Sequence, residues 1–469
     1  MSKIYDLFES SELIVDTAIE LGASQAESVV FEEKYDTTRF NNEIHQNISN
    51  RNMGAYITVV VDSNKLSSIS LSIGDITDDL LKGYIHDMIA YTKLLKGDPY
   101  FSCLPQPGKI KCDSGLYFPL TVDFQPHDKA EIINSCIKSG LDYDKRIRSV
   151  NGYFVNGKRS VKINNSNGVD EKHDISLADV QIGVSSEENG SVGKGYASKT
   201  SRDISELDLI SLTMNSSENS VQSLNPKTAP PKEYEVVLKP SALATLIHSI
   251  SDGFSAETYN DGRSFLCGRL GEKLFDEKII ITDDGADKRS LTATPFDGEG
   301  VPKRKLKMVQ DGVTQSLCYD TYYAKREGVE STGHCPNKID RMDGSIFKSP
   351  IPMNMILEPG DVSDESLIKD VKEGLLVTRM HYVTVIDEKK AILSGMTRDG
   401  TWLIENGEIK YPVKDLRFMD SMLKVLSSVD AIGNESTVEN RLREHCGLLS
   451  SLTTPSIKLP SMRFTGLTQ

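Results

Sequence analysis

A proline-rich segment near the middle of the chain limits how this sequence can fold. It reads Asn225-Pro226-Lys227-Thr228-Ala229-Pro230-Pro231-Lys232 and shows no apolar periodicity. Proline lacks a backbone N–H and has a fixed φ angle, so neither a helix nor a central strand continues through such a run. We therefore predict an N-terminal domain at 1–225 and a C-terminal domain at 232–469. The N-terminal domain could itself consist of two parts, at about 1–105 and 106–225.

The two halves differ in the secondary structure that their patterns predict. In the N-terminal half, apolar residues at helical spacing predict helices at 4–21, 80–95 and 128–141, with strand-like runs between them. An Asn156-Gly157 pair between two strand-like runs predicts a tight hairpin at 153–163. After the proline-rich segment, short strand-like runs dominate. The sequence thus predicts an α+β fold, with an N-terminal α+β domain followed by a β-rich, mostly antiparallel C-terminal domain.

Charge and composition exclude several classes of partner. The 54 lysines and arginines are outnumbered by 68 aspartates and glutamates, for a net charge of -14. Such a surface repels phosphate backbones and anionic lipid, so we expect neither nucleic acid nor membrane as a partner. Because the sequence has no signal-peptide pattern and no apolar run of about 18 residues, we expect a cytoplasmic protein. The 7 cysteines form no C-x-x-C pair, which argues against a disulfide framework.

A helix predicted over 241–254 carries the first candidate for chemistry. Its apolar stripe leaves His248 on the polar side, and Asp252 follows four residues later on the same face. A histidine oriented by a carboxylate can act as a base or bind a metal. The alternative is an exposed His-Asp pair on a surface or interface helix.

Two acidic residues in a glycine-rich loop are the second candidate. Asp297 and Glu299 lie in the stretch Phe296-Asp297-Gly298-Glu299-Gly300-Val301-Pro302. In an extended segment they would project from one face, where paired carboxylates could bind substrate or a cation, or perform acid–base chemistry. The alternative is that both acids accept hydrogen bonds from amides of a tight turn.

Two His-Cys dipeptides, His334-Cys335 and His445-Cys446, offer ligands that zinc accepts. Structural zinc usually shows more closely spaced ligands, so the pattern argues against a zinc site here. The common hydrolase and nucleotide motifs G-x-S-x-G, H-E-x-x-H, G-x-x-x-x-G-K-[ST] and G-x-G-x-x-G are absent.

Seven short fragments, taken in order along the chain, resemble the TldD/PmbA family, whose members are also described as modulators of DNA gyrase. The fragments are Arg39-Phe40-Asn41-Asn42, Gly271-Glu272, Asp283-Asp284-Gly285, Phe296-Asp297-Gly298-Glu299-Gly300-Val301-Pro302, Ser331-Thr332-Gly333, Leu357-Glu358-Pro359-Gly360 and Leu403-Ile404-Glu405-Asn406-Gly407-Glu408-Ile409-Lys410. The resemblance implies the same two-domain fold, dimer formation and a link to cytosolic peptide processing.

The same resemblance bears on catalysis. TldD-like members carry an H-E-x-x-x-H zinc motif on the helix that follows the first strand of the C-terminal domain, and a cysteine near the C-terminus completes the zinc site. Here His248 matches the first ligand, but Ser249 replaces the glutamate and Gly253 replaces the second histidine. Cys446-Gly447 resembles the family's cysteine-glycine pair. A zinc peptidase needs about three protein ligands and a base, so we expect no bound cofactor.

Two hypotheses follow. The first is that the chain is similar to the PmbA/TldE side of the family, a branch for which Thr397-Arg398-Asp399-Gly400-Thr401-Trp402 is typical. Such a subunit would position a peptide substrate without cleaving it, in a dimer with a TldD-like chain or with itself. The second is that the chain is a self-sufficient hydrolase with a divergent active site. Zinc is possible only under this hypothesis. The candidate residues of such a site are His248, Asp252, Asp297, Glu299 and the His-Cys pairs, which include Cys446.

Overall fold

The structure is a computed structural model that describes residues 7–73, 77–110, 115–336, 349–443 and 447–467. Its N-terminal half has five helices and six strands within the described ranges. The helices are α1 (Leu7–Glu20), α2 (Asp78–Leu94), α3 (Pro119–Val122), α4 (Pro126–Tyr143) and α5 (Leu209–Gln222). The strands are β1 (Gln25–Asn41), β2 (Ile44–Val61), β3 (Lys65–Ser72), β4 (Ile147–Asn165), β5 (Asp170–Glu188) and β6 (Ser191–Ser201).

These six strands form one antiparallel sheet in the order β3-β2-β1-β4-β5-β6. Helices α1 and α2 bury their apolar faces against the β1–β2 side of the sheet, while α4 and α5 pack on β4 and β5. Because β1 and β4 pair along 27–41, the two parts into which the N-terminal domain could divide share one sheet. The domain boundary itself stays a prediction.

The hairpin predicted at 153–163 is wrong, because β4 runs straight through it. At Gly157 a Cβ atom would lie 2.0 Å from the carbonyl oxygen of Lys34 on β1, so the glycine permits close strand contact and makes no turn. Asn156 donates from Nδ2 to the Thr121 carbonyl at 2.9 Å. The tight turn lies instead at Asn189-Gly190, whose φ angles of 50° and 79° suit the link between β5 and β6.

The C-terminal half is richer in strands. The strands are β7 (Glu233–Leu238), β8 (Ile281–Asp283), β9 (Leu306–Gln310), β10 (Val313–Thr314), β11 (Asn354–Leu357), β12 (Glu373–Val377), β13 (Met380–Asp387), β14 (Ile392–Thr397), β15 (Thr401–Glu405), β16 (Glu408–Pro412), β17 (Leu416–Ser421), β18 (Ala431–Arg443) and β19 (Gly447–Leu467). The helices are α6 (Pro240–Ile250), α7 (Ala256–Asn260), α8 (Thr321–Glu327), α9 (Asp364–Lys369) and α10 (Met422–Leu426).

The long strand β19 organises this half, because it pairs with β7, β11, β17 and β18. All strand pairs in the second sheet are antiparallel except β11 with β19 and β12 with β7. One large apolar core joins α6 to this sheet. The predicted α+β class, with a β-rich and mostly antiparallel C-terminal part, is confirmed. None of the helices in the described ranges combines the length and apolar character that crossing a bilayer requires.

The two halves are held together by a buried arginine. Arg202, just after β6, is 8% exposed, and its guanidinium donates to the carbonyls of Ser290, Leu291 and Ala293 in the C-terminal half. These donor–acceptor distances lie between 2.9 and 3.2 Å. A buried guanidinium that saturates several carbonyls is costly to separate from them, because both sides would lose their hydrogen bonds. The clamp thus fixes the seam in which the candidate sites lie.

Candidate functional site

His248 lines a polar cavity of about 220 Å³ between the two halves of the chain. We call it the His248 cavity. Its wall consists of Asp179, Gln181, Tyr196, Ser198, Lys199 and Thr200 from the N-terminal sheet and Ser241, Ala244, Thr245, His248, Arg379, Met380, Val438 and Glu439 from the C-terminal half. Titratable side chains therefore face each other across an enclosed space, as in many functional sites.

Helix α6 places His248 in this wall. Pro240 occupies its first turn, and Leu243, Leu246 and Ile247 are buried in the core on its other side. His248 is only 6% exposed, so the alternative of a solvated His-Asp pair is wrong. The helix ends at Ile250 and not at 254, and exposed Asp252 belongs to the tighter 3₁₀ turn that follows.

Arg379 supplies the positive charge of the cavity. Its guanidinium donates to Asp399 at 2.7 Å and lies 3.9 Å from the ring centre of Tyr196, on the N-terminal sheet. Such stacking adds a cation–π attraction to the ion pair. The next residue after Asp399 has to be glycine, because Gly400 has a φ of 141° and a Cβ there would lie 2.4 Å from the Trp402 ring. Through Asp399, the stretch 397–402 orients Arg379, which lies twenty positions earlier in the chain.

Two acids in the same wall have raised pKa values. Burial raises the pKa of Glu439 to about 7, although hydrogen bonds with Ser241 and Thr437 and the charge of Arg379 oppose the shift. Glu439 is half-buried, and its accessible part faces the His248 cavity. The carboxylate is less hydrated there than in bulk water, which raises its pKa. Burial also raises the pKa of Asp179, which accepts a hydrogen bond from Thr200 at 2.5 Å. The cavity can thus exchange protons near neutral pH.

The structure places Asp297 at a different cavity and Glu299 close to it in the chain. Oδ1 of Asp297 accepts from the amides of Glu299 and Val301 at 2.9 and 3.0 Å, and Oδ2 accepts from the amide of Cys335 at 2.9 Å. Glu299 accepts from the amide of Thr321, at the start of α8, at 3.0 Å. Both carboxylates therefore accept hydrogen bonds from backbone amides, as the alternative interpretation of this loop predicted. Their role in substrate binding stays a prediction.

Asp297 also lines the second cavity, which we call the His173 cavity. It has a volume of about 40 Å³, lies between the two halves and shares no lining residue with the His248 cavity. Burial and the charge of Glu299 raise the pKa of Asp297 to about 7, against three backbone amides that favour its ionised form. His248 and Asp297 thus line different cavities, and a site that combines them stays a prediction.

Comparison with known proteins assigns the fold and the family. Residues 231–467, just over half of the chain, match the PmbA/TldA metallopeptidase C-terminal domain. The chain belongs to the TldD/PmbA family. A metalloprotease PmbA homolog from Haemophilus influenzae is 25% identical over 98% of this chain and 96% of its own length. A metalloprotease from Methanothermobacter thermautotrophicus is 29% identical over 49% of each chain.

Solved structures share the fold along the whole chain. TldE from Thermococcus kodakarensis superimposes with a TM-score of 0.85 and 21% identity, covering 97% of this chain and 99% of that one. A protein described as a putative modulator of a DNA gyrase from Thermotoga maritima gives a TM-score of 0.84 and 19% identity over 97% and 99% of the two chains. Together with the PmbA relatives, the family supports a peptidase-related role.

The helix that carries zinc ligands in TldD-like members does not fit zinc here. Ser249 donates to the Thr245 carbonyl at 2.7 Å and has no carboxylate to activate water. At Gly253 a Cβ atom would lie 2.1 Å from the ring of Phe265, so this ring fills the space that a second histidine would need. With only His248 in place, α6 cannot supply the usual set of about three ligands.

Within the described ranges, the His-Cys pairs do not supply the zinc ligands that helix α6 lacks. His334 lies 3.2 Å from Asp283, and both side chains are 1% exposed, while Cys335 lines the His173 cavity. Cys446, like His445, lies outside the described residues. Across the described ranges, no three His, Cys, Asp or Glu side chains come close enough to hold a metal ion.

Sequence reasoning missed Arg379, Asp179 and Glu439, which face His248 across the cavity. One signal was present for Arg379, because the stretch 397–402 stood out in the sequence and its Asp399 binds this arginine. Glu439 sits in a long edge strand with no recognisable motif. Its proximity to His248 follows from pairing between β18 and β19, which no local pattern reveals.

We predict that Gly253→Ala destabilises the protein by about 1–3 kcal/mol, because the new methyl group would overlap the Phe265 ring. The matched control is Gly83→Ala on α2, where no atom lies within 4 Å and alanine should be neutral or stabilise by up to about 1 kcal/mol. Urea unfolding measures both. Equal stabilities of Gly253→Ala and the wild type would contradict the conclusion that the Phe265 ring leaves no room for a side chain at position 253.

We also predict a pH effect from Glu439. Because its folded pKa of about 7 exceeds its ordinary value of 4.5, the folded state binds the proton more tightly than the unfolded state. This contribution to stability is complete below 4.5 and is lost as the pH rises through about 7. Unfolding free energies of Glu439→Gln should therefore fall less than those of the wild type across this range. Glu435→Gln, at an exposed position on the same strand, should follow the wild type; parallel curves for all three proteins would refute the assignment.

Proposed function

We propose that this chain is the PmbA/TldE-like, non-catalytic subunit of a cytosolic TldD/PmbA-type peptidase, in which it positions the peptide substrate. The observation that carries the proposal is the His248 cavity. It keeps the first histidine of the family motif in a polar space between the two halves, while Ser249 and the Phe265 ring occupy the places of the base and the second ligand. No zinc is expected in this subunit.

Strand edges at the cavity support a peptide as the ligand. Among the strands in the described ranges, β6 ends the first sheet and pairs with β5 alone, and β18 pairs with β19 alone, apart from a bridge between Gly433 and Val362 at the start of β18. Both strands contribute side chains to the wall of the His248 cavity. An extended peptide can bind an open strand edge through its main chain, which requires no particular sequence. The polar wall would then contact its side chains.

The partner in this proposal is a TldD-like subunit that supplies the zinc and the base. A second copy of this chain is the alternative partner. Dimer formation would also cover the strand edges that remain open at the ends of the two sheets. The acidic net charge of -14 disfavours nucleic acid as the partner, and we place the assembly in the cytoplasm.

A second function, a self-sufficient hydrolase, is favoured by one observation. Glu439 has a pKa of about 7 and shares the cavity with His248, so the two could exchange protons during a reaction. The described residues of the cavity wall include no cysteine, and Arg379 is already paired with Asp399, so this set offers neither a thiol nucleophile nor an uncommitted guanidinium for such a reaction. We rank this function second.

Peptide cleavage separates the two functions. Unfolded peptides are incubated with this chain alone, with a TldD-like partner alone and with the mixture, each with and without added zinc. We expect the chain alone to cleave no faster than buffer, because Ser249 is not a base at neutral pH, and the mixture to exceed the partner alone.

The matched variants are His248→Ala, which changes the cavity wall, and Ser249→Ala, whose hydroxyl bonds only within the helix. Turnover by the chain alone that His248→Ala abolishes and Ser249→Ala preserves would establish the hydrolase and refute the non-catalytic assignment. A mixture no more active than the partner alone would refute the partnership.

A further inference from the structure

The His173 cavity holds buried cationic and imidazole groups that the proposed function does not use. His173 on β5 is 8% exposed, and its Nδ1 is buried without a hydrogen-bond partner in the described part of the chain. Its ring lies 5.1 Å from the ring of Phe296, centre to centre, across the seam between the two halves. A buried nitrogen without a partner is costly, so its retention calls for a ligand or an ordered water.

Lys303 provides the second element of this cavity. Its aliphatic stem passes over Gly285, where a Cβ atom would lie 2.3 Å from Cδ of Lys303. Asp283 and Asp297 attract the ammonium over a distance, but among the described residues neither these nor others bond with it directly. A lysine with no direct partner in a protein cavity is rare, because burial of an unpaired charge is unfavourable.

The charges that shift the pKa of His173 are cationic. Burial and the charges of Lys303, Arg159 and Arg202 together lower this pKa to about 3. Arg159 is already bound to Glu33, with Nη2 2.5 Å from Oε1, whereas the Lys303 ammonium has no such contact among the described residues. Asp297 is an acid of the same wall, and its pKa of about 7 leaves it only partly ionised at neutral pH. At that pH the imidazole is neutral, and the Lys303 ammonium is the group that can pair with an anion.

The volume of the cavity and the residues of its wall limit the size and chemistry of an anion that could bind there. A volume of about 40 Å³ exceeds the ~10–15 Å³ that one water needs and holds a group of about three heavy atoms. Part of the wall is apolar, beside the polar side chains of Thr292, Thr294 and Asp297, so a ligand with an aliphatic end is accommodated; this apolar part consists of Ile175, Leu177, Phe296 and Met353. A phosphate or sulfate is larger and would meet this apolar wall with unsatisfied oxygens.

We propose that the His173 cavity binds a small carboxylate, held by the Lys303 ammonium and the His173 imidazole in the seam between the two halves. The carboxylate could be a free aliphatic acid or the terminal carboxylate of a peptide that enters through the mouth of the cavity. In either case binding involves residues of both halves and stabilises the seam that Arg202 clamps. The site is separate from the His248 cavity, so the proposal stands or falls independently of the proposed function.

The test uses acetate as the probe and the full chain. At constant ionic strength, acetate should raise the unfolding temperature with a saturable dependence, because a ligand that binds only the folded state stabilises it by mass action. Acetamide, which has the same shape without the charge, should have no such effect. A tripeptide with a free C-terminus, compared with its C-terminal amide, distinguishes the peptide source from the free acid.

Variants assign the effect to the cavity. Lys303→Met keeps the stem over Gly285 and should weaken acetate binding about tenfold or more, the loss expected for one charge-assisted hydrogen bond. The matched control Lys305→Met removes an exposed charge two residues away and should change binding less than about twofold. If Lys303→Met does not fold, His173→Gln serves in its place.

A second readout comes from the wild type. Because the anion would lie beside the imidazole, the NMR signals of the His173 ring at pH 7 should shift with a saturable dependence on acetate and not on acetamide. Equal effects of acetate and acetamide, an equal loss in Lys305→Met, or His173 signals that acetate does not move would overturn the proposal.

Discussion

The buried Arg202 guanidinium is the interaction on which the arrangement of this molecule depends. It reaches from the end of β6 to the carbonyls of Ser290, Leu291 and Ala293 in the C-terminal half. Both cavities lie along the same seam between the two halves. Neither half holds a complete candidate site alone, since each cavity wall takes side chains from both halves. A guanidinium suits this role because its planar fork can saturate several carbonyls at once. Both candidate sites are therefore features of the interface between the halves.

The fold class was predictable because it rests on local patterns. Apolar spacing located α2 and α4 to within a few residues, and the proline-rich segment separates the two sheets. What failed were features decided by tertiary packing. Asn156-Gly157 has the local chemistry of a turn, but β4 needs that glycine to approach β1, whereas Asn189-Gly190 is the pair that turns. Sequence cannot tell these two cases apart without knowing the neighbouring strand.

The candidate site was predictable only where a motif marked it. His248 stood out because it matches a family ligand, and its burial follows from α6 packing under β18 and β13. Arg379 precedes β13 and Glu439 lies in β18, and their proximity to His248 depends on pairings with β19 and on the seam. The packing also bears on the mismatch with the zinc motif, because the Phe265 ring leaves no room for a side chain at Gly253.

We propose that helix α6 matches one zinc ligand of TldD-like members and cannot hold the metal. Zinc content measured by elemental analysis on protein purified from zinc-supplemented cells tests it most directly. The account predicts far less than one zinc per chain, unchanged in His248→Ala, because two or fewer ligands rarely retain zinc. A content near one zinc per chain that disappears in His248→Ala would contradict it.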